Sequence, residues 1–111
     1  RKRSAVETAT AVTLADGMAV RVPVAAALET IWRGAHDVVE VSDAEVESAM
    51  AAYYDDTHQL AEGAGAAPLA ALLKHADRAG KRMGVILTGG NVDRDVYVRA
   101  LEGMARETGI S

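Results

Sequence analysis

The chain has 111 residues, half of them hydrophobic and a quarter charged, with a net charge of −4, which is the profile of one small globular domain. The acidic balance speaks against phosphate-backbone binding, which needs clustered positive charge, and the absence of cysteine excludes disulfides, thiolate metal sites and cysteine nucleophiles. No apolar run approaches the ~20 residues of a membrane span, and no hydrophobic signal region follows Arg1-Lys2-Arg3, so a cytoplasmic protein is expected, with a core of Ala, Val, Leu and Ile because aromatics are scarce.

Residues 1–13 show no clear period. Met18, Val20 and Val22 alternate with Ala19 and Arg21, as a brief strand or an irregular extended segment would. Pro23 suits a first helical turn. Leu28, Ile31 and Trp32 then mark one apolar helix face, and Gly34 supplies the stop. Val38, Val39 and Val41 form a short β-branched run that predicts a strand. Ser42-Asp43-Ala44-Glu45 is a capping box, and the helix it opens has Val46, Ala49, Met50 and Tyr53 on one face. Asp55-Asp56-Thr57-His58 interrupts that pattern.

Leu69, Leu72, Leu73 and Ala76 predict a further helix ending at Gly80. Pro68 favours a start nearby, although the small residues from Gly63 to Ala67 could also pack helically. Gly84-Val85-Ile86-Leu87 reads as a buried, parallel strand. Thr88-Gly89-Gly90-Asn91 is a sharp turn out of it, and Asp93 can cap a last helix carrying Val96, Tyr97, Leu101 and Met104. The alternation predicts an α/β fold, a partial open parallel sheet with flanking helices.

Two features could carry chemistry. A Gly-Gly turn at the carboxyl end of a parallel strand lets a ligand approach the backbone, with the Thr88 hydroxyl pointing into the crevice; a plain structural turn has the same pattern. Glu62, before a run of Gly and Ala, can contact a flat ligand, or can serve only as an acid at a helix N-terminus. Asp55, Asp56 and His58 do not make a metal site, because adjacent carboxylates diverge on a helix and no second histidine lies at ligand spacing. Lys74 and Lys81 read as exposed charges near a helix C-terminus. No serine sits in a nucleophile-elbow pattern.

Three segments in order carry a family resemblance. Thr13-Leu14-Ala15-Asp16-Gly17-Met18-Ala19-Val20, Glu62-Gly63-Ala64-Gly65-Ala66 and Val85-Ile86-Leu87-Thr88-Gly89-Gly90-Asn91-Val92-Asp93 resemble stretches of the pyridoxal-phosphate-dependent threonine ammonia-lyase and serine racemase group, in the tryptophan synthase β superfamily. The resemblance covers roughly residues 8–101. It implies that residues 1–111 are a single partial domain, the C-terminal portion of a larger catalytic domain of fold type II.

The resemblance also implies pyridoxal phosphate as cofactor. Thr88 would stand where the family usually has a serine facing the ring nitrogen. Glu62 would lie near the ring, Gly17 would line a cofactor face through its backbone, and Gly89 and Gly90 would permit close approach. The family's Schiff-base lysine and glycine-rich phosphate loop have no counterpart in this chain, since Lys2, Lys74 and Lys81 are not in the Ser-x-Lys context and no run of three glycines occurs. No residue is assigned a catalytic or metal-binding role.

The reading that follows is a fragment of a dehydratase converting threonine, or serine, to a 2-oxo acid and ammonia, inactive alone. The partners expected are the amino-acid substrate in the complete enzyme and either further copies of the chain or a missing N-terminal part, with no nucleic acid and no membrane. A different class of reading is a non-catalytic binding or assembly module that pairs with a separate chain or self-associates through its apolar faces. A third is a small α/β domain that binds phosphate through the Gly-Gly turn.

Overall fold

The computed structural model describes residues 4–78 and 82–107. Four helices order the chain: α1 (Ala25–Gly34), α2 (Asp43–Thr57), α3 (Gly63–Lys74) and α4 (Arg94–Glu107), with short 3-10 turns at Asp16–Met18 and Ala76–Arg78. α2 packs against both α3 and α4, and the first 3-10 turn sits on α3.

The helix starts follow local chemistry. At α2 the Ser42 hydroxyl accepts from the Glu45 N–H at 3.2 Å, while Glu45 Oε2 accepts from the Ser42 N–H at 2.8 Å. These bonds satisfy two donors that a helix N-terminus would otherwise leave open. The backbone bond from Ser42, followed by hydrogen bonding and charge from Lys74, holds the Glu45 carboxyl below its ordinary pKa. α2 runs on through Asp55-Asp56-Thr57, where the sequence pattern predicted a break. Its end is set by His58, the chain's one described non-glycine residue at positive φ (56°), whose N–H reaches back to the Tyr53 and Tyr54 carbonyls. This left-handed cap satisfies carbonyls that the helix leaves free.

α3 begins at Gly63 and not at Pro68, which lies inside it. The proline removes the N–H that would reach the Ala64 carbonyl. Burial compensates: Ala66, Ala67 and Ala70 enter the core with residues of α2, and Gly63 and Gly65 are buried against the segments at Leu14 and Gly89. The described helix ends at Lys74, and the expected end at Gly80 lies outside the described residues. Lys74 is no free surface charge. Its ammonium donates to the Glu40 carbonyl (3.0 Å) and to Glu45 Oε2 (3.3 Å), tying the segment before α2 to the end of α3.

The core is built almost wholly of alanine. Ala49, Ala61, Ala66, Ala67, Ala70 and Ala100 surround Val46 and Met50. No leucine or isoleucine is fully buried among the described residues; Leu14, Leu69 and Leu87 pack against the rim. Small side chains let the helix axes approach closely, which is what joins α3 to α2 here.

The expected partial parallel sheet is not found. Among the described residues there is no strand, and both segments read as strands are irregular. Val38 and Val39 are exposed, and Ile86, in the middle of the predicted buried strand, is 76 % exposed. A β-branched or apolar run becomes a strand only when a neighbour completes its hydrogen-bond ladder, and no described segment does so for 38–41 or 84–87. The alternating run at 18–22 is likewise irregular, following the 3-10 turn.

Candidate functional site

The three motif segments, far apart in sequence, meet at the N-terminal end of α3. Glu62 is the residue before its first turn. Its N–H donates to the Gly89 carbonyl at 3.0 Å, and its carboxylate lies over Gly89, so closely that a Cβ there would stand 2.6 Å from Oε1. Glu62 therefore meets Gly89 twice: its N–H bonds the Gly89 carbonyl, and its carboxylate occupies the space a side chain at 89 would need. Glycine is required at 89 because the space of a side chain is already taken.

The neighbouring glycines interlock in the same way. A Cβ on Gly65 would stand 2.5 Å from the Gly89 carbonyl oxygen, and one on Gly90 would stand 2.5 Å from the Leu60 carbonyl oxygen. On the other side of α3, a Cβ on Gly63 would meet the Leu14 carbonyl oxygen at 2.9 Å, and one on Gly17 would meet Ala64 Cβ at 3.1 Å. The 13–18 segment is fastened further by Thr13, whose hydroxyl donates to Asp43 Oδ1 (2.5 Å) and accepts from the Ala15 N–H (3.2 Å).

Of the residues singled out from sequence, Glu62, Gly89 and Gly90 are thus brought into one cluster, and Gly17 lies one residue away through Ala64. Thr88 borders the cluster, exposed, and its hydroxyl makes no hydrogen bond among the described residues. Two features went unread in the sequence. Gly65 seats the Gly89 carbonyl, and the Leu60 carbonyl fills the space beside Gly90; the density of Gly and Ala over 61–67 was the available signal. Asp55, Asp56 and His58 do not join the cluster. No group of three or more His, Asp or Glu residues among the described ones is placed to hold a metal ion.

The profile of the family described as pyridoxal-phosphate dependent enzyme matches residues 1–89, and the chain belongs to that family. It is 34 % identical over 89 residues to an L-threonine ammonia-lyase of Thermotoga maritima, covering 80 % of this chain and 22 % of that protein. It is 41 % identical over 95 residues to an L-threonine ammonia-lyase of Geobacter sulfurreducens, covering 84 % and 23 %. It is 36 % identical over 96 residues to an L-threo-3-hydroxyaspartate ammonia-lyase of a Pseudomonas species, covering 85 % and 30 %. The chain therefore spans between about a fifth and a third of the length of these curated relatives.

Pyridoxal phosphate is the cofactor that family membership implies. The described residues suit one edge of it. The exposed neutral hydroxyl of Thr88, with no hydrogen-bond partner among the described residues, has the chemistry to pair with a pyridine nitrogen, and it stands next to Gly89, over which the Glu62 carboxylate lies. The cofactor's other end finds no such match among the described residues. Lys74, the one lysine described, is engaged by Glu40 and Glu45, and the space beside the glycines around α3 is filled by the chain's own backbone and by the side chains of Glu62 and Ala64.

Proposed function

We propose that this chain forms the ring-nitrogen side of the cofactor site of a pyridoxal-phosphate-dependent dehydratase that deaminates a 3-hydroxy amino acid, threonine or serine, to a 2-oxo acid and ammonia. The observation that carries this reading is the cluster itself: Glu62 clamped on Gly89, next to the unengaged hydroxyl of Thr88, in a chain of this family. The names of the relatives, which include both threonine and 3-hydroxyaspartate ammonia-lyases, support the substrate class.

When bound, the cofactor supplies a conjugated ring that withdraws electrons as the α-proton and β-hydroxyl leave. Thr88 would hold the ring nitrogen through a neutral hydroxyl, which would leave that nitrogen unprotonated where a carboxylate would protonate it. That would moderate the electron sink, and elimination of the β-hydroxyl needs less of it than reactions through a long-lived carbanion. Glu62 fixes the direction of Thr88 by gripping the next residue. The space beside Gly17, Gly89 and Gly90 is taken by Ala64, Glu62 and Leu60, so on this reading these glycines serve the cofactor site through their backbone, by letting the segments that line it pack closely. The lysine that carries the cofactor and the cradle for its phosphate belong to the rest of a larger catalytic domain, of which these residues form the C-terminal portion. On this reading the 111-residue chain alone is inactive, and turnover of threonine by the purified chain with added cofactor would overturn that part.

The main test is a chimera in which this segment replaces the matching 95 residues of the Geobacter enzyme. Cofactor absorbance confirms assembly, and release of 2-oxo acid from threonine, serine and 3-hydroxyaspartate reads function. Thr88→Ser is expected to retain activity. Thr88→Ala is expected to lose about tenfold, the worth of one hydrogen bond of ~1.4 kcal/mol. A cofactor-loaded chimera that releases no 2-oxo acid from any of the three refutes the reading.

A further inference from the structure

The segment that carries Gly17 has few holds of its own. Its only regular structure is the 3-10 turn at Asp16–Met18. Inside it, the Met18 N–H donates to the Ala15 carbonyl and the Ala19 N–H to the Asp16 carbonyl, both at 2.9 Å. These bonds shape the turn but attach it to nothing. Its base is closed by Arg21, whose Nη1 donates to the Ala9 carbonyl at 3.2 Å and whose carbonyl accepts from the Thr8 N–H at 3.1 Å. That clip joins the two ends of the loop to each other, again without reaching another element. Among the described residues, one hydrogen bond ties residues 13–20 to a different element, and it runs from the Thr13 hydroxyl to Asp43 Oδ1, at the first residue of α2.

Thr13 passes that attachment on. The oxygen that donates to Asp43 also accepts from the Ala15 N–H at 3.2 Å. A hydroxyl can do both at once, and one polarised by donating to a carboxylate is the stronger acceptor. Ala15 is buried, and a Cβ on Gly63, the first residue of α3, would stand 3.0 Å from its Cα. Two residues on, Gly17 meets Ala64 in the same manner. The first turn of α3 is therefore held between two loops, 13–18 on one side and 89–90 on the other. The second bonds α3 directly, through the Glu62 N–H and the Gly89 carbonyl. The first only leans on it, so its position depends on where Thr13 is anchored.

We propose that Asp43 is a positioning residue for the cofactor site: through the Thr13 hydroxyl it sets where the 13–18 loop rests on the first turn of α3. The inference rests on the reading of the site given above, in which that loop lines one face of the cofactor. The link needs a donor at 13 and an acceptor at 43. Asn at 43 keeps the acceptor, and Ala removes it. Both lose the negative charge that favours a helix N-terminus, so the difference between them isolates the hydrogen bond. Val at 13 keeps the branched shape of Thr without its hydroxyl.

Hydrogen exchange in the 111-residue chain, without cofactor, tests the link. Asp43 makes no hydrogen bond to Ala15, yet Asp43→Ala should speed exchange of the Ala15, Met18 and Ala19 N–H groups about fivefold, the worth of one hydrogen bond. The amides of α4 should not change, and Asp43→Asn should exchange as the unsubstituted chain does. Thr13→Val, which also removes the Ala15 acceptor, should do at least as much as Asp43→Ala, and the two together should do no more than Thr13→Val alone. In the Geobacter chimera loaded with pyridoxal phosphate, Asp43→Ala should alter the induced circular dichroism of the bound cofactor. It should also raise KM about fivefold with kcat held within about twofold, and Asp43→Asn should restore both. Faster exchange along α2 with Ala15, Met18 and Ala19 unaffected would overturn the proposal, because Asp43 would then serve the helix start only. Additive effects of the two substitutions, or an Asp43→Ala chimera with unchanged dichroism and KM, overturn it as well. A chimera unsubstituted at both positions that binds cofactor and releases no 2-oxo acid counts against the dehydratase reading instead, since exchange and dichroism are read without turnover.

Discussion

At the scale of single residues, the described glycines fall into three kinds, and their substitutions should separate accordingly. Gly65 faces the Gly89 carbonyl, a backbone atom that cannot step aside. Gly65→Ala should therefore cost about 1–3 kcal/mol, the usual penalty of overpacking, read as a lower urea midpoint. Gly89→Ala meets the end of the Glu62 side chain, which can swing away. It should cost less in stability, and in the Geobacter chimera it should cost activity, because the swing releases the grip beside Thr88. Gly103 in α4 has open space around it, so Gly103→Ala should stabilise by about 0.5–1 kcal/mol through helix propensity alone. His58 is a further case: it holds φ = 56°, a conformation that glycine adopts without strain. His58→Gly should raise the urea midpoint, by up to ~1 kcal/mol.

At the scale of elements, the start of α2 couples helix stability to pH. The Glu45 carboxyl is held below its ordinary pKa chiefly by the Ser42 backbone N–H, with help from Lys74. A group depressed in the folded state binds its proton more readily when unfolded. Its contribution is complete above the unfolded pKa and is lost as pH falls through the folded one. The urea midpoint should accordingly decline below the ordinary carboxylate pKa of 4.5, and Glu45→Gln should flatten that decline while lowering stability at neutral pH. Ser42→Ala removes the reciprocal partner, with an expected cost of about 1 kcal/mol. Between elements, the Arg99–Glu47 pair joins α4 to α2 at 3.0 Å, with Arg99 largely open to water and Glu47 partly so, so removing it should cost little more than the small sum typical of surface pairs.

At the scale of the whole molecule, stability rests on close approach and not on large side chains. With alanine lining most of the core, Met50 is the one large side chain fully inside. Met50→Ala should cost about 2–5 kcal/mol, a large share of what a chain of this size can have in total. Tyr97 runs the other way. Its hydroxyl is buried without a hydrogen-bond partner among the described residues, and burial, then the neighbouring Tyr54 and Asp55, raise its pKa. Tyr97→Phe removes an unsatisfied group and should leave stability unchanged or slightly increased. The shape of the molecule, extended and with α1 unpacked, belongs to the same account: few of its apolar residues find cover within the described chain.

Much of this protein was legible from local pattern. The capping box at Ser42, the face of α2, the existence of α1 and α4, and the three motif segments with their order all rest on interactions a few residues long, and such interactions are written in spacing. The tertiary structure decided the rest. Asp55-Asp56-Thr57 looks like a break, yet the helix passes through it, because the end is set by the left-handed His58 and its bonds to Tyr53 and Tyr54. Pro68 favours a helix start nearby while the small residues before it could also pack helically, and burial of Gly63, Gly65 and Ala66 on their neighbours decides for the second. The valine run at 38–41 and the apolar run at 84–87 look like strands, and neither is one, because a strand exists only with a partner that its own sequence cannot specify. The meeting of Glu62 with Gly89, and of Gly65 with the carbonyl above it, joins segments more than twenty residues apart. Composition could mark those segments as free of bulk, but only the packed chain shows that the space is filled by the protein itself.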